Sequence, residues 1–325
     1  VQVNLLDQES TDLYLRLGRQ EIGYGASRLI GIRDGPNIRR SFDLAHLRLQ
    51  HKKARIDVFY GKEVFIQPDA FDNESGLFDE DAFNPTVWGA YYRHPLKGEE
   101  RMFELYYLGF HSNVSGYSDV FGEETRHSFG LRSFGSIGRF KYNTEFIVQT
   151  GDIAGNDVFA TNLEADWKYL LSKSGWKPMV GLKLDWSSGD KELDDGKIQT
   201  FNPMFVNPGL YSLAGVNTPI NLTSLHPSLT FFPAKNFSIY IDYAFFYRTR
   251  DTDGFYSPPR SLTRDASQGE SRHLGDVIGL MASYELNRNI SFDMILSYFL
   301  AGEFIEESGD SENILLLAPT VTINF

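Results

Sequence analysis

The sequence of 325 residues predicts an all-β protein, a transmembrane antiparallel up-and-down β-barrel that forms a single domain over residues 1–325. Three observations predict this fold class. About fourteen long segments alternate apolar and polar residues, the connections between them are alternately short and long, and the final strand ends on an aromatic residue, Phe325. Most segments run for about ten to fifteen residues, which fits the ~9–11 residues of a tilted membrane strand better than the ~5–6 residues of a soluble one.

The composition agrees with this fold class. The mean hydropathy of -0.30 excludes a bundle of membrane-spanning helices. The longest apolar run, 314–319, is far shorter than the ~20 residues that a spanning helix needs. Only every second residue of a membrane strand faces lipid, so a polar mean hydropathy is compatible with a membrane protein. The sequence has no Cys, which excludes disulfides, thiolate metal sites and cysteine catalysis.

Period-two alternation places the strands in order along the chain. We expect them near residues 11–22, 42–51, 54–65, 85–95, 101–112, 125–136, 139–151, 157–170, 177–189, 222–233, 236–249, 271–286, 290–303 and 313–325. Residues 1–6 also alternate and are expected to be the end of an earlier strand. At least one strand would therefore precede this chain, because single-chain bacterial barrels usually have an even number of strands.

The links between these strands alternate in length. Short links are predicted at 51–53, 96–100, 136–138, 171–176, 234–235 and 287–289. Long links are predicted at 23–41, 66–84, 113–124, 191–221, 249–270 and 304–312, with a shorter exception at 152–156. Short periplasmic turns and long extracellular loops are typical of barrels in the bacterial outer membrane, which is the location that we expect.

Each strand separates into two chemically different faces. In 236–249, one face carries Phe237, Ile239, Ile241, Tyr243, Phe245 and Tyr247, and the other carries Ser238, Tyr240, Asp242 and Arg248. The segments 157–170 and 177–189 divide in the same way. We expect the apolar set to face lipid and the polar set to face a wet lumen. The alternative, a soluble sheet with one face on a core, would need a second layer that the sequence does not offer.

The alternation assigns many charged side chains to the lumen. The cations are Arg16, Arg48, Arg55, Arg93, Arg126, Arg132, Lys141, Lys183 and Arg248, and the anions are Asp57, Glu104, Glu145, Glu164, Asp166, Asp185, Asp242 and Asp293. The planar fork of arginine binds carboxylates through two parallel hydrogen bonds, so a ladder of such groups would attract a uronate polymer. Alternatively, these charges pair across neighbouring strands and stiffen a wet interior.

The long links contain two further candidate features. The first holds Arg28, Arg33, Arg39 and Arg40, with Gly31, Gly35 and Pro36 available for turns, and it is predicted to fold inward as a basic constriction. Alternatively, its arginines bind lipopolysaccharide phosphates or pair with Asp34 and Asp43. The link 191–221, with Phe201, Phe205 and Tyr211, is either a lid or plug or a loop packed on the rim. Acidic links at 69–81, 190–195 and 303–312 carry much of the net charge of -12.

Several short motifs occur in a recognisable order. They are Gly18-Arg19-Gln20, Tyr24-Gly25, Arg28-Leu29, Arg40-Ser41-Phe42-Asp43, Ser188-Gly189-Asp190, Thr200-Phe201-Asn202-Pro203 with Phe205, and Phe246-Tyr247-Arg248 followed by Asp253 and Tyr256. With these motifs, over most of its length, the chain resembles the alginate-export family of outer-membrane porins. Tyr247 departs from the Trp that the family often has there. The resemblance implies a monomeric barrel of about eighteen strands, so this chain would lack about four.

These observations predict a porin that passes an anionic, alginate-like oligo- or polysaccharide by diffusion, without a catalytic residue, metal, cofactor or nucleic acid. The expected partners are membrane lipid, lipopolysaccharide, the polysaccharide, and the barrel-assembly machinery, which would engage the strand that ends at Phe325. One rival is a phospholipase-like barrel hydrolase, for which His111-Ser112 is the only suggestive neighbouring pair. The other is a general porin or adhesin without polysaccharide specificity.

Overall fold

Alternating apolar and polar residues form β-strands along most of the chain. The structure is a computed structural model that describes residues 1–33, 39–65, 84–96, 100–211, 215–258 and 260–325. The first nine strands are β1 (Gln2–Gln8), β2 (Thr11–Gln20), β3 (Phe42–His51), β4 (Ala54–Glu63), β5 (Thr86–Pro95), β6 (Arg101–Gly116), β7 (Phe121–Ile137), β8 (Phe140–Ile153) and β9 (Asn156–Leu170).

Nine further strands follow. They are β10 (Met179–Ser187), β11 (Lys197–Ile198), β12 (Leu222–Ala234), β13 (Phe237–Arg248), β14 (Phe255–Ser257), β15 (Ser261–Arg264), β16 (His273–Glu285), β17 (Ile290–Ala301) and β18 (Ile314–Ile323). The helical elements are two 3-10 turns, Pro208–Leu210 and Ala266–Gln268, and one short helix, α1 (Glu303–Glu307). Within the described ranges, no helix is long and apolar enough to cross a membrane.

Sixteen of the strands form one sheet in which each long strand pairs with its neighbours in sequence, in the order β1 to β10, β12, β13, β16, β17 and β18. The two-residue strand β11 pairs with β9 in parallel, and β14 and β15 form a separate hairpin. The recorded pairings between long neighbours are antiparallel. The up-and-down antiparallel sheet is therefore confirmed, with all fourteen predicted strands present.

The link predicted at 113–124 is wrong. β6 continues to Gly116 and β7 begins at Phe121, so only four residues, 117–120, connect them. The period of two shifts within this stretch, since Ser112 and Ser115 are both buried while Val114 between them is exposed. The strand therefore continues past the point where the alternation breaks. Most of the link predicted at 66–84, and residues 97–99 of the link at 96–100, lie outside the described residues.

The contacts of the chain define two compact units. Unit one contains Val1–Ser133, Glu145–Thr161 and Glu192–Asn207, and unit two contains Phe134–Thr144, Asn162–Lys191 and Pro208–Phe325. Unit one has an apolar cluster that includes Leu29, Phe42, Phe110 and Phe205. Among the buried apolar side chains of unit two are Phe246, Tyr256 and Phe304.

The two faces of the sheet are distinct, as the alternation predicts. We call the face that carries Leu47, Val58, Leu182, Ile241 and Leu315 the apolar face, because its large hydrophobic side chains are exposed. The opposite, polar face carries most of the buried charged and amide side chains, and the predicted division in β9, β10 and β13 is confirmed. Exposed apolar side chains on one face and buried polar ones on the other fit a sheet that meets lipid on its outside.

Candidate functional site

Arginines stand side by side on the polar face of unit one. Strand register places Arg48 opposite Asp57 and Arg55 opposite Arg93. The Asp57 carboxylate, which is fully buried, accepts from Arg48 Nε at 2.6 Å, from Arg55 Nε and from His46 Nε2 at 2.7 Å. One carboxylate therefore holds two guanidiniums and an imidazole on adjacent strands.

A second carboxylate on the same face has a similar role. Glu104 Oε2 accepts from Arg132 Nη1 and from the Tyr91 hydroxyl, both at 2.7 Å. Arg93 Nε lies 3.7 Å from the other Glu104 oxygen. On β2, the Arg16 guanidinium donates to the neutral Gln2 side chain at 2.8 Å.

We call Arg16, Arg48, Arg55 and Arg93 the arginine row. The side chains of Arg48, Arg55 and Arg93 are 28%, 27% and 40% exposed, so each keeps a quarter or more of its surface accessible on the polar face. Together with Arg132, the row meets two carboxylates, Asp57 and Glu104. Asp7 and Asp12 lie on the same face at the β1–β2 turn. Such a row can bind a ligand that carries several carboxylates.

Two of the predicted lumen arginines are instead completely buried. Arg126 donates to Glu124 at 2.6 Å, to the Gln149 side chain at 2.9 Å and to the Thr200 carbonyl at 2.8 Å. Arg248 donates to the carbonyls of residues 251, 253, 269 and 271, and its guanidinium lies 3.7 Å from the centre of the Phe304 ring. Both side chains are 0% exposed, so they hold loops in place and offer no surface to a passing ligand.

The segment 199–206 is fastened to the polar face of β7 and β8. The Asn202 side chain donates to Glu124 at 3.1 Å. The Gln149 side chain donates to the Asn202 carbonyl at 2.7 Å and accepts from the Asn202 backbone N–H at 2.9 Å. Phe205 packs edge-on against Phe42, with ring centres 5.1 Å apart. The motif Thr200-Phe201-Asn202-Pro203 with Phe205 is thus an anchor, and the segment packs on the polar face of unit one.

The first long loop packs on the same face. The Tyr24 ring stacks between Phe59 and Tyr91, with ring centres 5.0 and 4.8 Å apart, and Tyr91 stacks in turn on Tyr106 at 5.1 Å. Burial raises the pKa of the Tyr24 phenol well above its usual range, so this hydroxyl stays neutral. Arg28 Nε pairs with Glu145 at 3.0 Å.

The remaining arginines of the predicted basic constriction have different surroundings. Arg40 pairs with Glu63 at 2.9 Å and donates to the carbonyls of Gly31 and Phe205. Arg39, which is exposed, lies 3.4 Å from Glu21. Arg33 adjoins residues 34–38, which lie outside the described residues and include Asp34, Gly35 and Pro36. Arg28 and Arg40 therefore fasten the loop, and a constriction formed by all four arginines stays a prediction.

Unit two carries a second polar cluster. Lys183 Nζ pairs with Asp185 at 3.2 Å. Ser224 Oγ donates to Asp185 at 2.8 Å and lies 2.9 Å from His226 Nε2, while His226 Nδ1 lies 3.7 Å from Asp242. A cavity of about 180 Å³ adjoins these side chains and is also lined by Tyr211, Tyr240 and Met281. Anions and cations are mixed in this cluster.

The residues of the hydrolase alternative do not come together. His111 and Ser112 are neighbours in β6, so they point to opposite faces of the sheet. Ser224 and His226 approach each other, but the single Ser224 proton is donated to Asp185, so His226 is not positioned to remove it. Within the described residues, no group of three or more His, Asp or Glu side chains forms a metal site.

Sequence reasoning missed Gln149 and Glu124 as loop anchors. Alternation assigns both to the polar face, but their role depends on Asn202, which lies far away in sequence. No local pattern marks such a contact. The available signal was the single short motif Thr200-Phe201-Asn202-Pro203 with Phe205.

Comparisons with known proteins bear on the same features. The sequence profile of a family described as alginate export matches residues 3–314. No curated protein matches the chain. Among solved structures, OccK2 (OpdF) of Pseudomonas aeruginosa in complex with glucuronate is similar with a TM-score of 0.56 and 13% identity, over 98% of this chain and 78% of that one.

Two further solved structures show the same likeness. OccAB1 of Acinetobacter baumannii is similar with a TM-score of 0.58 and 13% identity, over 95% of this chain and 74% of that one. OccK10 (OpdN) of Pseudomonas aeruginosa has a TM-score of 0.57 and 13% identity, over 97% of this chain and 83% of that one. At this identity the likeness concerns the fold, which is that of outer-membrane β-barrel porins.

Proposed function

We propose that this chain, which belongs to the alginate export family, passes an anionic, alginate-like oligo- or polysaccharide by diffusion through an arginine-bearing channel. The chain is a bacterial outer-membrane porin. The class of substrate and the role of the arginines are the proposal. The glucuronate in the OccK2 structure belongs to the same chemical class, the uronates.

The arginine row supports this proposal. Arg48, Arg55 and Arg93 lie on three adjacent strands, whose separation is ~4.8 Å per strand. A uronate polymer carries one carboxylate on each sugar, so it can exchange one guanidinium for the next without leaving the row. Partly exposed arginines suit this use, because their contacts with Asp57 and Glu104 orient the guanidinium groups while a quarter or more of each side chain stays accessible.

Planar-bilayer recording of the purified protein tests the proposal. We expect an open channel that prefers anions and whose current is blocked by oligouronates. The triple variant R48Q/R55Q/R93Q should lose most of the anion preference and weaken the block by about tenfold or more. The matched control is R19Q, since Arg19 lies on the apolar face beside Asp43.

Three results would contradict the proposal. They are the absence of a channel, a cation preference that oligouronates leave unchanged, and equal block by neutral oligosaccharides of the same length. The last result would instead favour a general porin.

We also propose that the protein works as a monomer, without cofactor or energy coupling, and that β18 engages the barrel-assembly machinery. The exposed side chains of Leu315, Leu317, Val321 and Ile323 alternate along β18, which suits a strand that is inserted at a membrane boundary. Replacing two of them by Ser should reduce the amount of protein inserted in outer membranes, measured by heat-modifiable mobility. A hydrolase would be recognised by ester cleavage that disappears in His111→Ala.

A further inference from the structure

The indole of Trp88 lies across the sheet on the apolar face of unit one. Trp88 stands directly opposite Gly109 on β6, and a Cβ built on this glycine would lie 1.9 Å from the indole Cε2. The indole Nε1 donates to the Tyr107 hydroxyl at 3.0 Å, and this hydroxyl lies 2.8 Å from His127 Nδ1. Side chains on strands usually stand away from the sheet, so Gly109 and these two hydrogen bonds are what hold the ring over β6.

A pocket is built around this ring. Trp88 lines it together with Tyr60, Thr86, His111 and Thr125, and its volume is about 410 Å³. The pocket is shallow and widely open, so a ligand bound there keeps part of its surface exposed. His111 Nδ1 lies 3.1 Å from the Thr125 hydroxyl, so part of the polar rim is already ordered. Hydroxyl and imidazole groups on a membrane-facing surface have no partner in hydrocarbon.

Strand register shows at what level of the apolar face the pocket lies. A row of polar residues crosses five adjacent strands in direct register: Arg19, Asp43, Lys62, Thr86 and His111. The next row contains Leu17, Ala45, Tyr60, Trp88 and Gly109. The pocket thus lies where the apolar surface gives way to a polar one, which is where membrane proteins meet lipid headgroups.

We propose that this pocket binds the sugar headgroup of an outer-membrane glycolipid. The C–H groups on one face of a sugar ring are weakly positive and pack on the negative face of the indole. The sugar hydroxyls then pair with the hydroxyls of Thr86 and Thr125, since both His111 ring nitrogens already have partners, Thr125 and Asn113, at 3.1 Å. Lipid is the source of the sugar because the pocket borders the surface that faces hydrocarbon.

The lining of the pocket favours a sugar over a phosphate, since its described residues include no Arg or Lys. Lys62, which stands opposite Thr86 at the edge of the pocket, has a partner of its own. The neighbouring Arg19 fork is engaged with both Asp43 oxygens, at 3.0 and 2.9 Å, and the exposed Glu123 carboxylate lies 3.9 Å from His111. This site is independent of the proposed channel function, because it lies on the opposite face of the sheet.

Native mass spectrometry of the whole purified protein tests the site. The probes are rough lipopolysaccharide and, for comparison, phosphatidylglycerol. We expect Trp88→Leu to weaken lipopolysaccharide binding by about tenfold while phosphatidylglycerol binding stays unchanged. The matched control is Trp167→Leu, since Trp167 also lies on the apolar face, is 43% exposed and donates to a threonine, Thr144, at 3.0 Å.

A second variant, T86V/T125V, keeps the aromatic floor and removes two hydroxyls, and it should also weaken lipopolysaccharide binding. Heat-modifiable mobility verifies that each variant is folded. Equal losses in Trp88→Leu and Trp167→Leu would overturn the proposal, since both tryptophans would then be general interfacial residues. It would also be overturned by equal loss of phosphatidylglycerol binding, or by binding of the free core sugar as tight as that of the lipid.

Discussion

At the scale of single residues, the arginines of the polar face divide by burial. Arg126 and Arg248 have no exposed surface and bond to backbone carbonyls of loops, whereas Arg48 and Arg93 keep a quarter or more of the side chain open. A guanidinium has five donors. When all of them point to the protein, the residue fastens a loop, and when some point to solvent, they can meet a ligand.

Arg126→Met should lower the free energy of unfolding by ~3–5 kcal/mol, because the change leaves the Glu124 carboxylate buried without its guanidinium. Urea unfolding of the protein in lipid vesicles, followed by tryptophan fluorescence, measures the loss. The control is Arg19→Met, which breaks an exposed pair and should cost ~0–1 kcal/mol. Equal effects of the two changes would show that Arg126 does not act as a buried anchor.

Gly109→Ala should displace the Trp88 indole, since the new methyl group would overlap the ring. We expect a loss of ~1–3 kcal/mol in the free energy of unfolding, together with a change in tryptophan emission. In a W88L background, Gly109→Ala should lower the free energy of unfolding clearly less, because the indole that the new methyl group would overlap is absent. A double-mutant cycle measures this coupling, and additive effects of the two substitutions would contradict the close contact between Trp88 and Gly109.

At the scale of elements, the strands and their two faces follow from the sequence, because an alternation of period two is a local pattern. The short strands β11, β14 and β15 were not predicted, since two to four residues carry no measurable period. The β6–β7 turn was overestimated because Gly116 and Ser118 resemble loop residues and because the alternation shifts between Ser112 and Ser115 within β6.

The candidate site is less predictable than the strands. Alternation assigns Arg126 to the polar face, but it says nothing about what covers that face. The bond from Arg126 to the Thr200 carbonyl joins residues 74 positions apart. Only the folded arrangement of the segment 199–206 shows that Arg126 is buried while Arg48 is open.

Gln149→Leu should loosen the segment 199–206, because it removes both hydrogen bonds between the Gln149 side chain and the Asn202 backbone. We expect tryptic cleavage after the exposed Lys197 to accelerate by about tenfold in the membrane-embedded protein. The control is Gln50→Leu, where the side chain bonds only the neighbouring turn at Lys52. A cleavage rate that Gln149→Leu leaves unchanged would show that other contacts hold the segment.

At the scale of the whole molecule, net charge does not describe the charges that a ligand meets. The chain carries 43 acidic and 31 basic side chains, for a net charge of -12, yet the arginine row brings four guanidinium groups together on one face of the sheet. Net charge governs solubility and long-range attraction, while selectivity depends on the charges that a ligand meets within a few ångströms.

The anion preference of the channel should decrease as salt concentration rises. The Debye length falls from ~10 Å at 0.1 M to ~3 Å at 1 M, so ions screen the arginine row. Reversal potentials in asymmetric potassium chloride, recorded at both concentrations, measure the change. The variant R48Q/R55Q/R93Q should show little dependence on salt, and a preference that persists undiminished at 1 M in the wild type would point to a source other than these charges.

The alternation of apolar and polar residues also has a consequence before the protein reaches its membrane. An outer-membrane protein must first cross the inner membrane as an extended chain, where a run of ~20 apolar residues would be retained as a helix. Here polar residues interrupt the apolar ones throughout β3, β10 and β13, and the longest apolar run ends at Pro319. The same pattern that lets the finished sheet face lipid therefore lets the unfolded chain pass the secretion pore without being arrested there.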